Sequence, residues 1–229
     1  MMKVEDISGI SSYYEAMSTE GSVVGKCSMK LPPFDISGMR VLDVFCRGGK
    51  GACKLAEAVG PSGEVVGIDP DEGFVMKAKR YAHDADQSAS LTFLRAFPER
   101  LSGPAFHDGS FDLVYVNSAI NLTGDILRAL AEFRRVLVHD GALWVAEGVF
   151  AGHGPAGSGS AAKPISAQGA AGVFGRAVRP TAFRDICLQA GFRSCQFGVS
   201  EPIVANGADA LGLVAPSGFL KMDACVRKG

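Results

Sequence analysis

The sequence predicts a single Rossmann-like α/β domain, a mostly parallel sheet with helices on both faces. Three observations carry this expectation. Short apolar runs alternate with amphipathic helical stretches from residue 40 to residue 146. An acidic residue stands in the first apolar run (Asp43), and another ends the second (Asp69). The length, 229 residues, is enough for one well-packed core and marginal for two.

The elements come in a regular order. Residues 1–38 show no strong periodicity, and Pro32-Pro33 separates them from the first apolar run. They are expected to cover the ligand site of a domain spanning 39–229. Residues 40–45 are short and apolar and read as a buried strand. Residues 51–59 read as a helix stopped by Gly60-Pro61. Residues 64–69 form a second strand. Asp71 is placed to cap the next helix, with Val75, Ala78 and Ala82 on one face. Residues 91–94 and 111–116 give two more strands. Ile126, Leu130, Phe133 and Leu137 mark an amphipathic helix, and residues 142–146 a fifth strand entered through Asp140-Gly141. A Gly/Ala-rich stretch, 151–172, reads equally as a flexible connection or as a lid over the ligand face. A helix near 182–190 and strands near 192–199 and 219–226 complete the chain.

The net charge of −1 offers no basic field for a nucleic-acid backbone. No apolar run approaches the ~20 residues of a membrane helix. The first residues show no apolar core of a signal peptide, so the chain is expected in the cytoplasm. The expected partner is a small molecule, and no oligomeric state is implied. The six cysteines include no Cys-x-x-Cys pair and no histidine at ligand spacing, so no metal site is expected. None of the four histidines reads as a catalytic base.

Alternating strands and helices put ligands beyond the carboxyl ends of the strands. A carboxylate at the end of the second strand, Asp69, can accept hydrogen bonds from ribose hydroxyls. Its distance from the preceding loop is near the about 20 residues expected of nucleoside-binding units. Asp69 also reads as a helix cap, and Asp43 as a structural carboxylate for loop N–H groups. The run Arg47-Gly48-Gly49-Lys50-Gly51 at a helix N-terminus offers a rival use, an anion held by exposed N–H groups and two cations. It lacks the Gly-Lys-Ser/Thr ending of a P-loop.

Val41-Leu42-Asp43, the loop and Ala-rich helix after it, and the stretch Gly60-Pro61-Ser62-Gly63-Glu64-Val65-Val66-Gly67-Ile68-Asp69 resemble the cofactor half of class I S-adenosylmethionine-dependent methyltransferases. Phe111-Asp112-Leu113-Val114 and Phe133-Arg134-Arg135-Val136-Leu137 resemble that fold's fourth strand and following helix. Tyr13-Tyr14, residues 93–101 and Asn117-Ser118-Ala119-Ile120-Asn121-Leu122 are most similar to the arsenite methyltransferase branch. The resemblance implies a seven-stranded, mostly parallel sheet with an antiparallel C-terminal strand. It implies S-adenosylmethionine as cofactor, with Asp43, Phe45 and Gly49 by its methionine part and Asp69 and Pro70 by its ribose. Ala96 and Phe97 would flank the adenine, with Asn117 beside the reacting centre. Tyr14, Ser118 and Val173 would face the methyl acceptor.

The sequence departs from that family at two of three loop glycines, where Phe45 and Arg47 stand. Where the arsenite branch carries cysteines, it has Ser118 and Val173, and Cys27 is only a weak match to the upstream pair. The expected function is therefore methyl transfer to an unidentified small molecule other than arsenite. The alternative is a non-catalytic relative that binds another, anionic ligand or a protein.

Overall fold

The computed structural model describes residues 10, 14, 29–86, 90–152, 176–203 and 219–229. The stretch 153–172, Val173, Cys27 and His153 lie outside the described residues.

Strand β1 (Arg40–Val44) leads to helix α1 (Lys50–Val59), β2 (Glu64–Asp69), α2 (Glu72–Asp84) and β3 (Leu91–Arg95). Then come β4 (Phe111–Asn117), a 3-10 turn (Ile120–Leu122), α3 (Ile126–Val136) and β5 (Leu137–Ala151). The chain closes with α4 (Pro180–Gln189), β6 (Ser194–Phe197), β7 (Glu201–Pro202) and β8 (Phe219–Arg227).

Seven strands run in the order β3-β2-β1-β4-β5-β8-β6, and the two-residue β7 pairs with β8 outside that path. β1 is parallel to both β2 and β4, and β4 to β5. β8 is antiparallel to β5 and to β6. The direction of winding reverses between β1 and β4, which opens a crevice at their carboxyl ends. Asp43 and Val44 lie at that point, paired with Tyr115 and Val116.

Helices α1 and α2 cover one face through Leu55, Val59, Val75 and Ala78. Helices α3 and α4 cover the other through Leu130, Phe133, Phe183 and Cys187, and the helical residues Ile10 and Tyr14 join that cluster. Fully burying a side chain such as Leu130 or Phe133 contributes about 1.5–3 kcal/mol. Two of the helices start as their sequences direct. The Asp71 carboxylate accepts from the N–H groups of Gly73 and Phe74, and Asp125 accepts from that of Arg128.

The sheet corrects two boundaries. The fifth strand does not stop at residue 146 but runs to Ala151, through a register shift between Val145 and Gly148. Glu147 sits in that bulge at φ 49. The strand near 192–199 shortens to Ser194–Phe197, the residues that stand in register with β8.

Candidate functional site

The loop after β1 alternates ordinary and left-handed residues: Phe45 (φ 60), Arg47 (φ 52) and Gly49 (φ 83). Left-handed backbone costs a non-glycine residue roughly 1–2 kcal/mol. The loop nevertheless keeps that path, because its amides are anchored. The Cys46 N–H donates to the Ile68 carbonyl at 3.0 Å, that of Arg47 to Asp69 Oδ2 at 3.1 Å, and that of Gly49 to the Cys46 carbonyl at 3.0 Å. A Cβ on Gly49 would lie 3.0 Å from the Ala78 backbone, so α2 can pack close there only against glycine. The Phe45 ring is buried among the apolar residues of the α3/α4 face.

Asp69 ends β2 and is fully buried. Its Oδ2 accepts from the Tyr14 hydroxyl at 3.0 Å and from the Arg47 N–H, and its Oδ1 from the Asp71 N–H at 3.0 Å. Burial raises its pKa to about 6, against the pull of these donors. Asp43 is buried too, and among the described residues no donor reaches its carboxylate. Burial, reinforced by the charge of Asp69, raises it to about 8. The two acids lie on neighbouring strands at one crevice, Asp69 held by three donors and Asp43 by none among the described residues.

Tyr14 is held from several sides. Its ring meets Phe74 edge-on at 4.9 Å, the Arg47 guanidinium lies 4.8 Å from its centroid, and Arg47 Nη2 donates to its carbonyl at 3.0 Å. Burial and the neighbouring Asp69 carboxylate push the phenol well above its ordinary range.

The remaining predicted residues line the same edge. The buried Pro70 accepts from Arg95 Nε at 3.0 Å through its carbonyl. The Ala96 N–H donates to the Asp69 carbonyl at 3.2 Å, and Phe97 is half-buried in a tight turn closed by Arg100. Asn117 ends β4 opposite Ala146. Ser118 comes next at φ 54, 6% exposed, with its N–H on the Ala146 carbonyl at 2.8 Å. Val173 lies outside the described residues.

Sequence reading missed Glu99. It is buried, and its Oε1 accepts from the N–H groups of Gly124 and, at 3.3 Å, Asp125. It thereby ties the turn after β3 to the start of α3. An acid two residues beyond Phe97, directly after Pro98, was the available signal.

The two loop cations do not converge on the start of α1. Arg47 turns onto Tyr14, and the exposed Lys50 reaches toward the Tyr81 ring, 5.9 Å away. This arrangement gives the anion reading no support. Among the described residues no group of three or more His, Cys, Asp and Glu is placed to hold a metal ion. His83, His107 and His139 are exposed. No helix among the described residues is long and apolar enough to cross a membrane.

In sequence and fold the chain is similar to known methyltransferases. A methyltransferase-domain family profile matches residues 41–141. Arsenite methyltransferase from Mus musculus is 33% identical over 126 residues, which cover 53% of this chain and 33% of that protein. Demethylmenaquinone methyltransferase from Lactococcus lactis is 35% identical over 103 residues, 45% of this chain and 39% of that protein. The chain thus spans well under half the length of these relatives. An arsenic(III) S-adenosylmethionine methyltransferase from Chlamydomonas reinhardtii superposes with a TM-score of 0.67 at 24% identity, covering 95% of this chain and 73% of that one. The [4+2]-cyclase SpnF shares the fold as well, at a TM-score of 0.61 and 21% identity, over 84% of this chain and 76% of that one.

The fold is the Rossmann-like α/β fold of class I methyltransferases. In sequence the chain is similar to S-adenosylmethionine-dependent methyltransferases, arsenite methyltransferase among them.

The similarity implies S-adenosylmethionine as cofactor, and the residues present fit it. Asp43 offers a buried carboxylate with no donor among the described residues, suited to an ammonium group. Asp69 already accepts a hydroxyl, that of Tyr14, as it would a ribose hydroxyl. The loop keeps the left-handed path that glycines would take.

Proposed function

We propose that the protein transfers a methyl group from S-adenosylmethionine to a small molecule other than arsenite. The carrying observation is the buried pair Asp43 and Asp69, flanking a loop held in left-handed backbone at Phe45, Arg47 and Gly49.

When bound, S-adenosylmethionine supplies an electrophilic methyl group on a sulfonium centre. Asp43 neutralises the ammonium of the amino-acid part, and Asp69 accepts from the ribose. Gly49 gives the backbone close approach beside Phe45, with Pro70 as an apolar wall. Ala96 and Phe97 flank the base. Asn117 and Ser118, at the carboxyl end of β4, face the reacting end. Methyl transfer of this kind depends on alignment and exclusion of water more than on a general base. The exposed positions of His83, His107 and His139 are consistent with that.

The acceptor class is narrowed by Ser118. Arsenic is a soft centre held by thiolates, and a hydroxyl is a poor substitute. Of the described cysteines, Cys46, Cys53, Cys187 and Cys195 are buried and Cys225 is half-buried.

Calorimetric titration with S-adenosylmethionine and S-adenosylhomocysteine tests the reading. Saturable binding that Asp43→Asn and Asp69→Asn each weaken is expected. No heat and no thermal stabilisation at millimolar ligand would overturn it.

A further inference from the structure

The Asp69 oxygen assigned to a ribose hydroxyl is already taken by a hydroxyl of the chain itself. We propose that Tyr14 is a built-in competitor for the cofactor site: its hydroxyl fills the acceptor position on Asp69, Arg47 latches it there, and ligand enters only when Tyr14 withdraws. This inference rests on the cofactor reading above.

Asp69 is the starting point. Its Oδ2 receives two donors, the Tyr14 hydroxyl at 3.0 Å and the Arg47 N–H at 3.1 Å, while Oδ1 receives the Asp71 N–H. The backbone donors belong to the loop and to the start of α2 and stay with them. The Tyr14 hydroxyl is the side-chain donor among the three and comes from a residue 55 positions away, so it is the donor that can leave.

The latch is Arg47. Its guanidinium spans Tyr14, resting over the ring at 4.8 Å and donating to the carbonyl at 3.0 Å. Arg47 does this from a left-handed backbone position, φ 52, where glycine is at ease. Strain of that kind persists where surrounding contacts hold it, and it concentrates at ligand clamps and switch regions. One residue thus supplies its N–H to Asp69 and its side chain to the group that caps Asp69. A glycine there would keep the first contact and lose the second.

A site open only part of the time binds with an apparent affinity reduced by the open fraction. Calorimetric and stopped-flow titration of the full chain with S-adenosylhomocysteine reads this directly. Wild type is compared with Tyr14→Phe, which keeps the ring and removes the hydroxyl, and with Arg47→Gly, which removes the latch and eases the backbone.

Each variant is expected to bind about tenfold tighter, as for a site released from ~10% open. The wild-type association rate is expected to level off with ligand concentration, limited by opening, and the plateau to rise or vanish in both variants. Wild-type binding that neither variant tightens, and that Asp69→Asn abolishes, overturns the competitor and leaves the cofactor reading standing. Weaker binding by Tyr14→Phe also overturns it, because Tyr14 would then be part of the bound site. No binding by wild type or by either variant overturns both.

Discussion

Asp43 stands one residue before the end of β1 and Asp69 ends the adjacent parallel strand β2, and the charge of Asp69 adds to the burial that raises Asp43 to about 8. Asp69 itself rises only to about 6, because three hydrogen-bond donors offset its burial.

The difference between the two acids sets a pH dependence. Both folded pKa values lie above the ordinary carboxylate value of 3.8. The folded chain therefore holds protons that the unfolded chain has released. Stability is greatest at acid pH in this respect and falls as pH rises, through about 6 for Asp69 and about 8 for Asp43. Thermal melts of the ligand-free protein should show a lower Tm at pH 8.5 than at pH 5.5. Asp43→Asn should flatten the slope and stabilise the chain at pH 8.5, by about 1–3 kcal/mol for removal of a buried, unsatisfied charge. A slope unchanged in Asp43→Asn would place the titration elsewhere.

The same acid links binding to protons. A cationic ligand beside Asp43 favours its ionised form. Near pH 7, below about 8, binding of S-adenosylmethionine should release protons into the buffer. Calorimetry in buffers of different ionisation enthalpy measures this. Asp43→Asn should abolish the release, and a wild type that binds without any release would sink the ammonium assignment.

A third prediction concerns Arg135. Its guanidinium donates to the carbonyls of Leu101 and Phe106, to Asp108 Oδ1 at 2.7 Å and to both oxygens of Glu132. It binds the long turn between β3 and β4 to α3. Lysine cannot reproduce this fork. Arg135→Lys should cost about 2–3 kcal/mol in urea unfolding, near the upper part of the usual range for single substitutions. The denaturant slope should not change, because the core stays compact.

The sequence made the order of strands and helices legible because each element carries its own period and its own stop. Gly60-Pro61 ends α1, and Asp71 caps α2 through two amides of the next turn. Asp69 was legible as well, since it stands at a strand end before a proline. The extension of β5 was not, because one residue in the Glu147 bulge breaks the alternation on which a strand is read. The Tyr14 contact was hidden for another reason. It joins residues 55 apart, and no local pattern marks which hydroxyl will reach a buried carboxylate. Arg47 looked like a loop cation facing solvent or an anion, and its contacts emerge only once Tyr14 is in place.

Phe45 and Arg47 share a backbone conformation and differ in burial, so glycine at the two sites should cost stability to different extents. Each substitution removes a left-handed strain of roughly 1–2 kcal/mol. Arg47 loses its contacts to Tyr14 in exchange, and Arg47→Gly should stay within about 1 kcal/mol of wild type. Phe45 is 4% exposed and packs in the core. Truncating a buried Phe costs about 3–5 kcal/mol, so after the relief of strain Phe45→Gly should lose about 2–4 kcal/mol. Urea melts of the two single variants check the ordering. In the double variant, affinity for S-adenosylmethionine should rise despite the lost stability, since the ring and the guanidinium both leave the loop while its path stays fixed by the amides of Cys46 and residue 47. Unchanged affinity would show that these side chains lie clear of the ligand.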